Sequence, residues 1–528
     1  MLVSRKHKKL VLNLKDPDRV TSVIPGAKII DYKGHPLVAV NHGPEETKVL
    51  RNLGMDAPAP VAFHYDWPGR YKPFKHQQAT VEFLTMNPRA FCLSGLGSGK
   101  TLSVLWAFDY LKKSGLVSKM LVISPLSTLE RAWGDEIFRN FPELSFAVLH
   151  GTREKRHKLL ANDFDIYIIN HDGIKAPETI KALVEREGLD LIVIDEIASF
   201  RNASTERGRA LNTLVNGNMK TGLPAKAWVW GLTGTPTPNA PTDAWAQVRI
   251  INPTKVPRYF GQFRDIVMKP VSQFRWMPRE NAVEYVHSVM VPAIRFARED
   301  CIDLPPTTYV TRQAELTPEQ KKAYDEMLRT FHYECESGSI TAVNEAVKMS
   351  KLLQICLGFS YGTGGAEITL PSGPRIELIK EIVEESAGKV LVFVPFTAAL
   401  KTISDELAKE VSVAVVHGET SKRHRDEIFR AFQQDPEPRV IVANPGTLQH
   451  GLTLTAANTI IWAAPVHSLE TWEQANGRVT RPGQKRNTLI VSVEGTALER
   501  KVYDRLQSKG RVQGTLLELI NEQTKKGT

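Results

Sequence analysis

The sequence predicts an α/β protein: two tandem lobes, each a parallel sheet covered by helices, with a helical insertion and a small N-terminal α+β module. Three observations predict it. Short apolar runs of strand length alternate with helix-length segments from about residue 71, and again after about residue 375. Such alternation needs crossovers that lay helices on both faces of a parallel sheet. The chain has 528 residues, more than one hydrophobic core usually organises. Its 42% hydrophobic and 24% charged residues fit a folded, soluble chain.

The elements follow in order. "KLVLNL" and "HPLVAV" are short strands broken by "IPG" and "YKG", and "GPEETKVLRNLG" is a helix stopped at Gly54. Residues 1–58 therefore form a small module. "MDAPAPVAFHYDWPGRYKP", rich in Pro and aromatics, is a linker or an ordered loop. The first lobe, residues 59–265, carries strands in "RAFCL", "KMLVIS", "FAVLHG", "DIYIIN", "LDLIVID" and "AKAWVWGL". Residues 266–304 are a linker with a helical extension. The second lobe, 305–528, opens with a helical insertion at about 318–375, where "TPEQKKAYDEMLRTFHYECE" and "AVNEAVKMSKLLQICLG" read as helices. "YGTGGAEITLPSGP" is a loop or a short hairpin. "GKVLVFVPF", "SVAVVHGE", "PRVIVANP", "ANTIIWAAP" and "NTLIVSVEG" are its strands.

The chemistry begins at "SGLGSGKT", Ser94 to Thr101, between an apolar strand and the helix "LSVLWAFDYLKK". A strand, a Gly-rich turn and a helix opening on Lys-Thr make a phosphate cradle, because backbone N–H groups and the helix terminus face the anion. Gly95, Gly97, Ser98 and Gly99 form the loop. Lys100 would contact the β- and γ-phosphates of ATP, and Thr101 would hold Mg²⁺. The full pattern has Gly where Ser94 stands. A Gly-rich surface turn is the alternative, and the flanking strand and helix weigh against it.

"LIVIDEIASF" puts Asp195 and Glu196 at the carboxyl end of an apolar strand, the edge where open α/β sheets gather ligands. Asp195 suits Mg²⁺ and its waters; Glu196 suits orienting or activating an attacking water. In the second lobe, "QANGRVTRPGQ" offers Arg478 and Arg481, three apart and so on one face of a helix. Cations supplied from another lobe make hydrolysis depend on closure. A solvated basic helix face is the alternative.

The formal net charge of +10 suits a partner with a phosphate backbone, although membrane surfaces are also anionic. No apolar run approaches bilayer length and no secretory signal is read. Cys92, Cys301, Cys335 and Cys356 lack metal-ligand spacing, which points to a reducing compartment, and the expected location is cytoplasmic.

Together these residues resemble the SNF2-like branch of superfamily 2 helicases and DNA translocases, in a compact bacterial or phage form, over roughly residues 70 to 510. The resemblance implies two RecA-like lobes. "KPFKHQQATVEFL" is similar to the glutamine motif, with Gln77 as adenine reader and Phe74 or a neighbour beside the base. "LVISPLSTLERAWGDEI" resembles motif Ia, with Ser124 to Ser127 facing the tracked strand and Trp133 packed in the lobe. "IYIINHDGI" looks like the next DNA-side motif, with Asn170 and His171 at its loop. "DEIASFRN" resembles motif II, with Ile197 and Ala198 where the family often has Ala-His. "LTGTPTPN" closely resembles motif III, with Thr233 and Thr235 as polar members.

In the second lobe "KVLVFVPF" is similar to motif IV, and Gly418, Thr420 and Arg425 fit the segment after it. "NPGTLQHGLTLTAA" resembles motif V, with Gly451 in the nucleotide site and Thr453 where Asn is more frequent. "WEQANGRVTRPGQ" resembles motif VI through Gln474, Arg478, Arg481 and Gln484. The resemblance implies Arg481 as arginine finger, with Arg478 beside the γ-phosphate or supporting the lobe interface. Residues 1–58 resemble the module that precedes annealing-helicase motors and recognises branched DNA, with Ile30 and Leu37 near the places of its usual tryptophans. A structural cap on the first lobe is the alternative.

The expected protein is thus a DNA-dependent ATPase that uses ATP and Mg²⁺ to translocate on duplex or forked DNA in repair, replication or recombination. Contacts would be mainly to the DNA backbone, with replication or repair proteins as further partners and no membrane. A strand-separating helicase and a nucleic-acid clamp with a vestigial ATPase are the alternatives.

Overall fold

The computed structural model of the chain describes residues 1–508 except 218–223, 273–274, 298–300, 302–303, 331, 336–337, 342–344, 363–365, 449–452 and 482. The chain divides into two compact units, the first ending at Cys301.

The first unit opens with an antiparallel sheet of β1 (Leu2–Ser4), β2 (Lys9–Leu12), β3 (Lys28–Tyr32) and β4 (His35–Asn41), in the order β1-β2-β4-β3. Alternation in "KLVL" turns Leu10 and Leu12 inward, where they pack with Val38, Val40 and Leu50. Helix α1 (Pro44–Asn52) ends as the glycine predicts. Gly54, at φ +82°, donates its N–H to Arg51 O at 2.9 Å, and Met55 donates to Leu50 O at 3.0 Å. β3 has no buried face, and a turn with Lys33 and Gly34 both at positive φ joins it to β4.

Residues 55–73 are an ordered segment, a loop interrupted by one helical turn at Val61–His64, held on the helix that carries Lys100, α3 (Lys100–Lys113). Tyr65 donates its hydroxyl to the buried Asp109 carboxylate at 2.6 Å, and Trp106 Nε1 donates to Pro68 O at 2.8 Å. Trp67 meets the Trp106 ring edge-on at 5.8 Å. Between loop and phosphate loop runs α2 (Lys75–Met86).

The first large sheet comprises β5 (Arg89–Cys92), β6 (Lys119–Ser124), β7 (Phe146–Val148), β8 (Ile166–Asn170), β9 (Leu189–Asp195), β10 (Trp228–Leu232) and β11 (Ala293–Ile294). Among the described residues its order is β11-β5-β10-β9-β6-β8-β7, with every neighbour parallel. Alternate side chains enter two separate cores: Phe91, Leu121, Ile192 and Val229 one, Ala90, Val122, Val193 and Trp230 the other. Burying one such aliphatic side chain stabilises by roughly 1.5–3 kcal/mol, which is why two-sided apolar runs fix these strands. The edge strand β11 comes from beyond the α/β alternation and is two residues long.

The second unit holds a parallel sheet of β12 (Thr307–Gln313), β13 (Lys389–Phe393), β14 (Val413–Val416), β15 (Val440–Ala443), β16 (Ala457–Trp462) and β17 (Thr488–Glu494). Among the described residues the order is β12-β17-β16-β13-β15-β14. Between β12 and β13 lie helices Pro318–Thr330 and Glu345–Cys356. "YGTGGAEITLPSGP" contributes to an antiparallel hairpin, Phe359–Tyr361 with Glu367–Thr369. The fold is therefore α/β with two parallel sheets flanked by helices. No helix among the described residues is long and apolar enough to cross a membrane.

Two histidines tie the N-terminal module to the loop behind it. His42 Nε2 donates to Pro58 O at 2.9 Å, so its Nδ1 keeps the lone pair that accepts His64 Nε2–H at 2.9 Å. Burial pushes both imidazoles below the ordinary histidine value; His42, Lys8 and Arg5 push His64 further the same way, while Pro58 and Glu46 oppose the shift of His42. With lowered folded values, the unfolded chain binds more protons near and below the ordinary value, so stability present above about pH 6.5 is lost as pH falls. The protection of amides across residues 42–64, referred to the intrinsic exchange rate at each pH, is expected to fall between about pH 7.5 and about pH 5.5, and His42→Gln, which keeps a donor for Pro58, should remove most of that fall. Hydrogen-exchange mass spectrometry measures it.

Candidate functional site

The phosphate loop leaves the carboxyl end of β5 and turns into α3. Gly97 (φ +80°) and Gly99 (φ +74°) hold left-handed conformations, and a Cβ on Gly99 would stand 2.2 Å from Gln77 Nε2. Lys100 opens the helix and donates its ammonium to Ser94 O at 2.8 Å and Gly95 O at 3.0 Å. Thr101 follows in the first turn. The buried Ser98 Oγ has no hydrogen-bond partner among the described residues. A cation poised on carbonyls, a buried hydroxyl with nothing to bond and an N-terminal helix turn suit a polyphosphate. The residues present fit a nucleotide triphosphate with Mg²⁺.

Asp195 ends β9 and is held from two loops. Its Oδ2 accepts Ser124 Oγ at 2.9 Å and Trp133 Nε1 at 3.0 Å. Its carbonyl oxygen accepts His171 Nε2 at 2.8 Å. Lys100 and Asp195 both lie close enough to the buried Cys92 thiol to act on it, in opposite directions; burial itself pushes that thiol up. Glu196 stands at φ +53°, left-handed for a residue with a side chain, and its Oε2 accepts Thr233 Oγ1 at 3.3 Å. The same Thr233 hydroxyl accepts the Thr235 N–H at 3.1 Å. Strands β9 and β10 are neighbours, so "LTGTP" arrives beside the acidic pair by sheet topology.

Gln77 is buried and spans α2 and the phosphate loop. Its Oε1 accepts the Phe74 N–H at 2.9 Å, and its Nε2 reaches Gly99 O at 3.5 Å. Phe74 is exposed and stacks on His76 at 5.7 Å. His76 Nε2 donates to Ser98 O at 2.9 Å.

The second unit places its arginines differently from the sequence expectation. The helix Leu469–Asn476 ends before them, with Gly477 at its cap. Arg478 and Arg481 lie on the turn beyond. Arg478 is 2% exposed, whereas Arg481 is half-buried and donates to Thr453 Oγ1 at 3.3 Å. Gly451 lies outside the described residues.

Ser124 also departs from expectation. It is fully buried and serves Asp195, because β6 lies next to β9; Leu126 and Ser127 are the exposed members of that turn. Sequence reasoning missed His76, Ser124, Trp133 and His171 as partners of the site. For Ser124 and His171 the available signal was a polar residue at the end of an apolar strand, which does not reveal the acid it will meet; His76 and Trp133 carried no such signal.

The SNF2-related domain family matches residues 76–359, more than half of the chain, and the helicase conserved C-terminal domain family matches residues 374–483. The chain is 24% identical over 475 residues to protein p41 of Acyrthosiphon pisum secondary endosymbiont phage 1, covering 85% of this chain and 99% of that protein. It is 26% identical over 461 residues to the SWI/SNF-related matrix-associated actin-dependent regulator of chromatin subfamily A-like protein 1 of Xenopus laevis, covering 84% of this chain. It spans only 44% of that longer relative. Among solved structures, the SWI2/SNF2 ATPase core of Sulfolobus solfataricus in complex with dsDNA is 25% identical with a TM-score of 0.42, covering 87% of this chain and 96% of that one.

Trp133→Phe keeps the apolar packing and removes one of the donors on Asp195. ATP turnover is expected to fall roughly tenfold at limiting Mg²⁺, with partial recovery at high Mg²⁺. A Mg²⁺ titration of turnover reads this out.

Proposed function

The chain belongs to the SNF2-related domain family and is an ATP-hydrolysing enzyme of that type, and from this premise we propose that it is a DNA translocase whose hydrolysis is driven by duplex or forked DNA. One observation carries the reading: the loops that the family likeness sets against DNA hydrogen-bond the acid beside the phosphate loop. Ser124 and Trp133 flank one such loop, His171 lies on the other, and all three grip Asp195. Strain on either loop by a bound strand would move Asp195.

Bound ATP supplies the phosphoanhydride and Mg²⁺ the charge that polarises it. The chain's own residues do the rest. Backbone N–H groups of Gly97, Ser98 and Gly99 would meet phosphate oxygens, and Lys100 would exchange two carbonyls for a phosphate. Thr101 and Asp195 would hold Mg²⁺ and its waters. Glu196 orients a water and accepts its proton, with Thr233 fixing the carboxylate. The family likeness makes Arg481, the more exposed of the two arginines, the finger for charge on the transferred phosphate; Arg478, buried in the second unit, supports the turn that carries Arg481.

Near full-length coverage of the phage protein supports a compact bacterial or phage form, working in the cytoplasm in repair, replication or recombination. The module's exposed hairpin of β3 and β4, with Lys28, Tyr32, Lys33 and His35, supports a role in meeting branched DNA. The domain reading is 1–58 for this module, 59–265 and 305–528 for the lobes, and 266–304 for the connection.

Turnover measured in parallel with single-stranded, duplex and forked DNA and with RNA tests the reading. At least tenfold stimulation by DNA is expected, abolished by Lys100→Ala; stimulation by RNA alone would sink it. Arg481→Ala should lower kcat about 10³-fold while a fluorescent nucleotide still binds. A Tyr32→Ala, Lys33→Glu double variant should lose stimulation by forked DNA alone; an equal loss on plain duplex would remove fork reading from the module.

A further inference from the structure

Ser94 stands where the full phosphate-loop pattern has glycine, and phosphate binding does not need its hydroxyl. The hydroxyl has another partner. Ser94 is 2% exposed, and its Oγ accepts the backbone N–H of Phe296 at 3.1 Å. The Gly95 N–H donates to Phe296 O at 3.2 Å. Below them Leu93 donates to Ile294 O at 2.8 Å and Phe91 to Pro292 O at 3.0 Å. Residues 292–296 are thus zipped along β5 and into the phosphate loop. The ring of Phe296 lies 5.9 Å from His76, which itself holds Ser98 O.

The residues that hold Phe296 are those that phosphate binding would disturb. Lys100 bonds the carbonyls of Ser94 and Gly95. Its transfer to a phosphate removes a charged donor from both carbonyls at once. The group between them, the Ser94–Gly95 peptide, carries the N–H that bonds Phe296, and the Ser94 hydroxyl makes the second bond. Five residues beyond Phe296 the first unit ends, and the chain continues into the second.

We propose that Ser94, His76 and Phe296 form a clasp that transmits phosphate-loop occupancy to the segment leaving the first unit, with Ser94 a positioning residue and not a phosphate ligand. The proposal rests on the ATPase reading of the loop. It makes Ser94→Gly, which restores the full pattern, a loss.

The experiment compares the full chain with its Ser94→Gly, Ser94→Ala and Ser94→Thr variants. Hydrogen exchange across residues 292–297 is followed with and without Mg²⁺ and a non-hydrolysable ATP analogue, beside nucleotide affinity and the kcat and KM of DNA-stimulated turnover. In the wild type the nucleotide should change exchange at Phe296 about tenfold. The glycine and alanine variants should bind nucleotide within about threefold of wild type, lose that response, and show kcat about tenfold lower at unchanged KM. Ser94→Thr, which keeps a hydroxyl, should restore both. A wild-type exchange response in the glycine variant would overturn the clasp, and so would loss of nucleotide binding on removing the hydroxyl. The exchange readout depends on binding alone, so its failure is distinguishable from a failure of DNA to stimulate turnover.

Discussion

A carboxylate at the end of a doubly buried strand has to be satisfied where it stands, and Asp195 is in that position. Water is scarce beside a strand covered on both faces, and an unpaired charge there would be expensive. The fold answers with Ser124 and Trp133 on Oδ2 and His171 on the main-chain oxygen. These donors come from the end of β6, the neighbour of β9, from the turn after β6, and from the end of β8, next along on that side. On the other side β10 brings Thr233 to Glu196, and β5, next along, carries the phosphate loop. Strand order therefore decides which motif may touch which, and a parallel sheet delivers all of them to one edge.

That edge explains how far the sequence could be read. Runs such as "LIVID" must be strands, since residues buried on both sides leave no other role for four consecutive aliphatics. The phosphate loop was legible because left-handed turns demand glycine and the helix must open on Lys-Thr. The hydrogen bonds on Asp195 were not, because Ser124 lies 71 residues from it and Trp133 62, and only the sheet order brings them together. β11 escaped for a different reason: two residues carry no periodicity. β3 escaped because a strand without a buried face shows no alternation.

The second unit shows a limit of the spacing rule. A separation of three residues puts two arginines on one helical face only where the helix persists, and this helix stops at Asn476. The turn that replaces it separates the two cations by environment. Arg478 is enclosed, with Leu454 donating its N–H to the Arg478 carbonyl at 2.9 Å, and Arg481 stays accessible beside Thr453. A buried guanidinium is suited to fixing a turn, an accessible one to meeting an incoming charge.

Glu196 holds its carboxylate on a left-handed backbone. A left-handed conformation costs a residue with a side chain about 1–3 kcal/mol and persists only where the surroundings impose it. Glycine at this point would be easier for the backbone, yet the chain keeps a carboxylate. The cost makes sense if the side chain is needed and the turn cannot relax. Ile197, Ala198 and Phe200, buried immediately after it, pin the turn from below. The Thr233 hydroxyl that donates to Glu196 also receives the Thr235 N–H, so the "LTGTP" turn and the carboxylate move as one body. Any shift of that turn would therefore rotate the group that handles the attacking water, and the strained backbone at Glu196 leaves it little room to ignore the shift.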